Sequence, residues 1–177
     1  MIRIVLNEEH LGAVLGDVLR SCRHRLFVAT ANVKNAHLPT GDGGKAVDLL
    51  KAFGQLAGTG VEIRILHSGI PSGPLLERMK AGLPGNISMR RCPRVHAKAV
   101  VADGRRMYLG SANLTGAGLG AKSRRRRNFE AGIWTDELSL IDPVLDMLEG
   151  IWSGACCQDC GRRELCPVPL EEPDLAS

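Results

Sequence analysis

No apolar run in this 177-residue chain comes near the roughly 18 residues that cross a bilayer, which excludes a membrane-spanning helix. The first residues also lack the apolar core of a secretory signal, so the expected location is the cytoplasm, where paired cysteines are disfavoured. No internal repeat is visible, which excludes solenoid architectures and a duplicated site. A large charge of one sign is missing too. The formal net charge is +4 and the isoelectric point about 8.9, which permits a polyanionic partner without requiring one. What the chain does have is a globular composition, 44% hydrophobic, and the length for one domain with a small appendage.

Taken in order, Ile2 to Leu6 reads as a strand, and Asn7 can cap the helix after it. In that helix Leu11, Val14, Leu15, Val18, Leu19 and Cys22 recur at helical spacing. Arg25 to Ala31 reads as a buried strand, followed by a long polar loop that ends in Gly41-Asp42-Gly43-Gly44. A helix over residues 45–57, with Val47, Leu50, Phe53 and Leu56 inward, leads to a strand from Val61 to Leu66. This strand, helix, strand order predicts an α/β fold with a mixed, largely parallel sheet flanked by helices. His67 then lies on a loop, where most histidines are simply solvated. Further on, Pro74 to Ala81 reads as a short helix, Ile87 to Arg90 as a strand and Leu138 to Trp152 as the last helix.

The most informative stretch is residues 96–113. His96 to Ala102 predicts a strand, so alternation puts His96 and Lys98 on one face, with Asp103-Gly104 turning the chain. Met107 to Leu109 returns as a short strand, and Gly110-Ser111-Ala112-Asn113 leaves it as a polar loop. An ammonium, a hydroxyl, an amide and an imidazole brought together suit a tetrahedral anion such as phosphate. The pattern H-x-K-x4-D-x6-G-S-x-N, formed by His96, Lys98, Asp103, Gly110, Ser111 and Asn113, resembles the HKD signature of the phospholipase D superfamily. Asn128-Phe129-Glu130 also resembles the acidic element that follows this loop in the family.

Histidine attacks phosphorus well when a carboxylate accepts its other N–H, a role for which Glu130 is the candidate. Lys98, Ser111 and Asn113 would hold the nonbridging oxygens, with Asp103 orienting neighbouring groups; this chemistry requires no metal. The leaving oxygen needs a proton, and only one such histidine exists. The resemblance implies the answer, since single-motif members form homodimers that share one active site. The expected activity is therefore phosphodiester hydrolysis by a homodimer. Lys122, Arg124, Arg125, Arg126 and Arg127 are the densest positive charge and are expected to bind substrate phosphates, so a nuclease acting on DNA or RNA is favoured. Alternatives are a phospholipase D-type lipid hydrolase or transferase, for which no membrane-seeking helix is evident, and a non-catalytic nucleic-acid-binding subunit.

These features divide the chain into a phospholipase D-like catalytic domain over residues 1–153 and a cysteine-rich extension with a tail over residues 154–177. Four of the six cysteines, Cys156, Cys157, Cys160 and Cys166, crowd the extension. Cys157, Cys160 and Cys166 are spaced as thiolate ligands of a structural metal centre, either zinc or iron-sulfur. Their C-x2-C-x5-C-P pattern resembles part of the [4Fe-4S] staple of some bacterial recombination and CRISPR-associated exonucleases, which implies a fourth cysteine from upstream. The start of the His96 strand is expected at the sheet edge where the helices end, which puts Cys22, Cys92 and Cys156 all within reach; Cys92, followed by proline and outside any apolar pattern, is the preferred fourth ligand, with Cys22 and Cys156 as alternatives. Residues 167–177 read as a loose tail.

Overall fold

The computed structural model describes residues 1–33, 37–38, 47–71, 73–80, 85–166 and 168–172. A seven-stranded sheet forms its centre. It comprises β1 (Ile2–Leu6), β2 (Arg25–Thr30), β5 (Glu62–His67), β6 (Ile87–Arg91), β7 (Lys98–Ala102), β8 (Arg106–Gly110) and β9 (Ala131–Thr135), in the order β1-β9-β8-β7-β2-β5-β6. A separate ribbon pairs β3 (His37–Leu38) with β4 (Val47–Asp48).

The expectation of a largely parallel sheet is corrected. Only β2·β5 and β5·β6 pair in parallel, while β2·β7, β7·β8, β8·β9 and β1·β9 are antiparallel. Helical crossovers serve only the β2-β5-β6 part; β7 and β8 are joined by the tight Asp103-Gly104 turn, where both residues have positive φ, and such a turn can join only antiparallel neighbours. Because β7 runs opposite to β2, its first residue sits at the edge where β2 and β5 end. Leu6, Ala131, Gly110, Lys98, Thr30, His67 and Arg91 therefore lie along one edge. The loops after β2, β5, β6 and β8 leave from it.

Each face of the sheet has its own core. One face carries Leu26, Val28, Ile63, Ile65, Val100 and Tyr108. It is covered by α1 (Glu9–Leu11), which continues as a π-helix over Gly12–Leu19, and by α2 (Leu49–Ala57). Val14, Val18, Leu19 and Cys22 of the expected stripe are buried there, as are Leu50 and Phe53. The helix expected from residue 45 begins at Leu49 because Val47 and Asp48 pair with the ribbon, and the Gly41–Gly44 stretch lies outside the described residues. The other face, with Phe27, Ala29, Leu66, Ala99, Val101 and Met107, packs against Ile141, Leu148 and Trp152 of α4 (Leu138–Trp152). Gly154, at φ 84°, stops α4 in a conformation open to glycine. The remaining helix, α3 (Gly73–Lys80), follows β5.

The chain beyond α4 is not a loose tail over the residues described. Short 3-10 turns at Ala155–Cys157 and Arg163–Leu165 bring residues 170–172 back to β6, where the Arg91 N–H donates to the Glu171 carbonyl at 2.9 Å and Arg90 reaches Glu172 at 3.1 Å.

Candidate active site

Lys98 anchors the site. It opens β7 on the face covered by α1, and only 7% of it is exposed, so its ammonium is held rather than free to sample solvent. Nζ donates to the His96 carbonyl at 2.7 Å and lies 3.3 Å from Nδ1 and 3.2 Å from Nε2 of the same residue. Burial pushes the Lys98 pKa below its ordinary value, against the pull of the Glu130 charge. His96 itself stands just before the strand and is exposed, leaving its ring accessible to an incoming phosphate.

Across β8 and β9 the register places Gly110 beside Lys98 and Gly132 beside Gly110. A side chain at Gly110 would collide with the Tyr108 hydroxyl and with the backbone of Ala131 and Gly132, so the position before Ser111 has to be glycine. Tyr108 is buried under the site, its hydroxyl pushed up to about 12 by burial, and it accepts the Ala112 N–H at 3.3 Å. Its ring also packs edge-on against buried His10, a neighbour that no motif had indicated.

Ser111 donates its hydroxyl to Glu130, and its oxygen accepts the Ala131 N–H at 3.1 Å. The other Glu130 oxygen accepts Asn128 Nδ2 at 2.9 Å. The expected pairing of Glu130 with its own His96 is not made, because β9 lies beyond β8 from β7 and the carboxylate is taken up by the loops on its own side. Asn7, expected as a helix cap, instead clamps Glu130: its N–H donates to the Glu130 carbonyl at 3.0 Å, and its Oδ1 accepts the Glu130 N–H at 3.3 Å. Asn113 faces β2, where its Oδ1 accepts from the Asn32 N–H at 3.2 Å and from the Thr30 hydroxyl at 3.4 Å. Thr30 also accepts the Leu114 N–H at 3.1 Å, so the 110–114 loop is pinned at both ends. Thr30 was missed because one threonine inside an apolar strand carries no spacing signal.

Asp103 is not with this group. It lies at the opposite end of β7, roughly 20 Å from His96 at the rise of an extended chain. There its carboxylate collects the N–H groups of Arg23, His24 and Arg25, each at 2.8 Å, and the Cys22 thiol at 3.6 Å. Burial raises its pKa, but those donors outweigh burial and hold the carboxyl below its usual value. Asp103 thus ties the start of β2 to the end of β7. Asp103→Ala should lower stability by about 2–3 kcal/mol, or roughly 5–10 °C in Tm by thermal denaturation, while folded protein keeps its turnover. Because the folded-state pKa is depressed, this contribution is present at neutral pH and fades as pH falls through that value, so the gap to the parent should narrow in acid.

A cavity of about 910 Å³ beside Glu130 is lined by Asn7, Glu8, Arg124, Arg125, Arg127 and Phe129. Three of the five expected phosphate-binding residues are therefore brought to it, with Arg127 paired to Glu8 at 2.8 Å, while Lys122 and Arg126 are exposed outside its lining. His67 is not a solvated loop residue: it is 1% exposed at the end of β5, with Nδ1 2.9 Å from the Gly69 carbonyl and its pKa lowered by burial.

Among the cysteines, Cys22 leaves the candidate ligand set. The strand after it runs opposite to β7, which puts it at the far edge with Asp103, buried and with its thiol pushed up to about 12. Cys92 follows β6 on the site edge. Burial, then the charges of Cys92, Cys166 and Cys160, push the Cys157 thiol up, and Arg94 donates to Cys160 at 3.5 Å. These thiols share a neighbourhood, and thiolates suit either metal, but among the described residues no three His, Cys, Asp or Glu side chains are gathered as ligands of one ion.

Residues 15–152 match the family model described as "Cardiolipin synthase, PLD-like domain". Among solved structures, the chain is similar to NucT from Helicobacter pylori, with TM-score 0.61 and 14% identity over 86% of this chain and 96% of that one. It is similar also to Nuc from Salmonella typhimurium, a phospholipase D family member, with TM-score 0.53 and 16% identity over 86% and 94%. TrmBL2, an archaeal chromatin protein, has TM-score 0.52 and 16% identity over 86% of this chain and 52% of its own. No curated protein sequence matches. At these identities the structural likenesses establish the fold.

Proposed function

The chain belongs to the PLD-like domain family, and from that footing we propose that it is a homodimeric nuclease that hydrolyses phosphodiester bonds through a phosphohistidine. The observation that carries this reading is the gathering of His96, Lys98, Ser111 and Glu130 at one sheet edge, next to an arginine-lined cavity.

In the proposed reaction, His96 of one subunit attacks phosphorus while Lys98, Ser111 and Asn113 balance charge on the nonbridging oxygens. The bond to the leaving oxygen breaks, and the partner subunit's His96 protonates that oxygen. The same partner ring then takes a proton from water, whose oxygen displaces the histidine and leaves a phosphomonoester. A second copy also answers a structural question. Ile2, Ile4 and Leu6, at 56%, 68% and 47% exposure, make an apolar strip on edge strand β1, and this strip ends at the site, where Leu6 pairs with Ala131. An isologous contact over the strip would cover it, and although the strip lies on the α4 face, three strands from β7, it reaches the same sheet edge as His96.

The test is cleavage of end-labelled single- and double-stranded DNA and RNA in the presence of chelator, with phosphatidylglycerol vesicles in parallel. Nucleic acid cut without added metal supports the proposal; phospholipid turnover alone favours the lipid reading suggested by the family model's description. The arginine-lined cavity beside the site supports the nucleic-acid reading. We place the activity in the cytoplasm.

For the extension we propose a structural metal centre, [4Fe-4S] or zinc, held by Cys92, Cys157, Cys160 and Cys166. Its support is the thiol neighbourhood, and binding would draw the extension inward. Protein purified without oxygen should carry stoichiometric iron or zinc by elemental analysis, reduced by at least half in Cys157→Ser. Iron brings visible absorption as well. Metal-free parent protein would rule the centre out.

A further inference from the structure

The chain contains six aromatic residues, Trp and Tyr included, and five of them are at least partly buried: Phe27, Phe53, Tyr108, Trp152 and Trp134. Phe129 is 97% exposed. A bare phenyl ring costs solvation unless something covers it in use. The backbone that carries this ring is fixed in place. Its neighbour Asn128 is bonded to Ala117 and Glu130, and Glu130 is clamped by Asn7 and Ser111, so the backbone on both sides is held. Phe129 lines the cavity that Arg124 and Arg125 also line; among the described residues neither arginine makes a salt bridge, and the nearby Glu8 carboxylate is paired with Arg127 while also feeling Arg124's charge.

The exposed ring and the two arginines line one cavity, and Phe129 joins it to Glu130 at the reactive edge. Arginines bind any strand through its phosphates, but only an unpaired base can present its π-face to a ring, since bases within a duplex are covered by their neighbours. We infer that Phe129 is a stacking platform for an unpaired nucleobase, so that the substrate is a single strand whose phosphates rest on Arg124 and Arg125 as it enters the site at His96. This rests on the nuclease reading and narrows it to single-stranded nucleic acid. Glu130, the next residue, is only 9% exposed, so ring and carboxylate divide the work of one short segment between base and reacting phosphate.

The experiment uses full-length protein in a His96→Ala background, so that binding is read without cleavage. The probes are a fluorescein-labelled single-stranded DNA of mixed sequence and the same sequence as a duplex, followed by anisotropy at several salt concentrations. Phe129→Ala should weaken single-strand binding about 10- to 100-fold, with an unchanged salt slope and little effect on an already weaker duplex. Phe129→Trp should retain affinity. Arg124→Ala should instead flatten the salt slope by about 0.7. Equal single-strand affinity for parent and Phe129→Ala overturns the inference while leaving the nuclease reading intact. So does a fall in molar mass of Phe129→Ala, by light scattering, that accounts for the lost binding, because the ring would then be a subunit contact. Failure of the parent to bind either probe overturns both.

Discussion

His96→Ala should cut hydrolysis by about four orders of magnitude or more while strand binding stays within about twofold. The magnitude follows from the role: loss of an oxyanion-type contact such as Ser111 leaves a weakened route and costs about 100- to 1,000-fold, whereas loss of the nucleophile closes the covalent route. In a shared site the same substitution removes the acid as well. Folding should be untouched, because His96 is exposed and outside the strand. Initial rates on a labelled oligonucleotide measure the first effect and anisotropy the second. Residual cleavage above a few per cent would show that another group attacks phosphorus.

The second large effect concerns assembly. Ile4→Arg puts a charge in the middle of the exposed β1 strip, and at 68% exposure the subunit itself should fold with it. Light scattering should report a fall from dimer to monomer, and hydrolysis should fall with it by about a hundredfold or more, since each half-site then lacks its proton donor. Subunit mixing gives a sharper reading. When parent chains are refolded with an equal amount of His96→Ala, activity should drop to about a quarter, because only pairs with two intact rings turn over. A drop to one half would mean that each subunit works alone.

Much of this site was legible in the sequence, because it is built from local patterns. Two-residue alternation fixed His96 and Lys98 on one side, and Gly110-Ser111-x-Asn113 marked the loop beside them. The last helix was readable to its ends, since Gly154 stops it and seven apolar residues repeat at helical spacing. What could not be read was non-local. The direction of β7 against β2 depends on pairing between segments some 70 residues apart, and misjudging it put Cys22 and the start of the His96 strand on one edge. Asp103 was grouped with the reactive residues for its place in the motif, although its spacing from His96 already sets it at the turn that ends the strand. Ala131–Thr135 went unread as a strand because it is short, contains a glycine and follows a charged run, so its identity comes from β8 and β1 on either side. Glu130 was found by position, but its bonding was not, because that depends on which loop crosses above it.

The return of residues 170–172 to β6 bears on how this protein can be dissected. Trimming the chain at Ser153, just past the end of α4, would strip the Glu171 partner from Arg91 and the Glu172 partner from Arg90 at the end of outer strand β6. Limited proteolysis of the intact protein should nick the exposed Arg162-Arg163 turn, yet the two pieces should co-purify under native conditions, the shorter one remaining attached as a lace drawn along the sheet's margin.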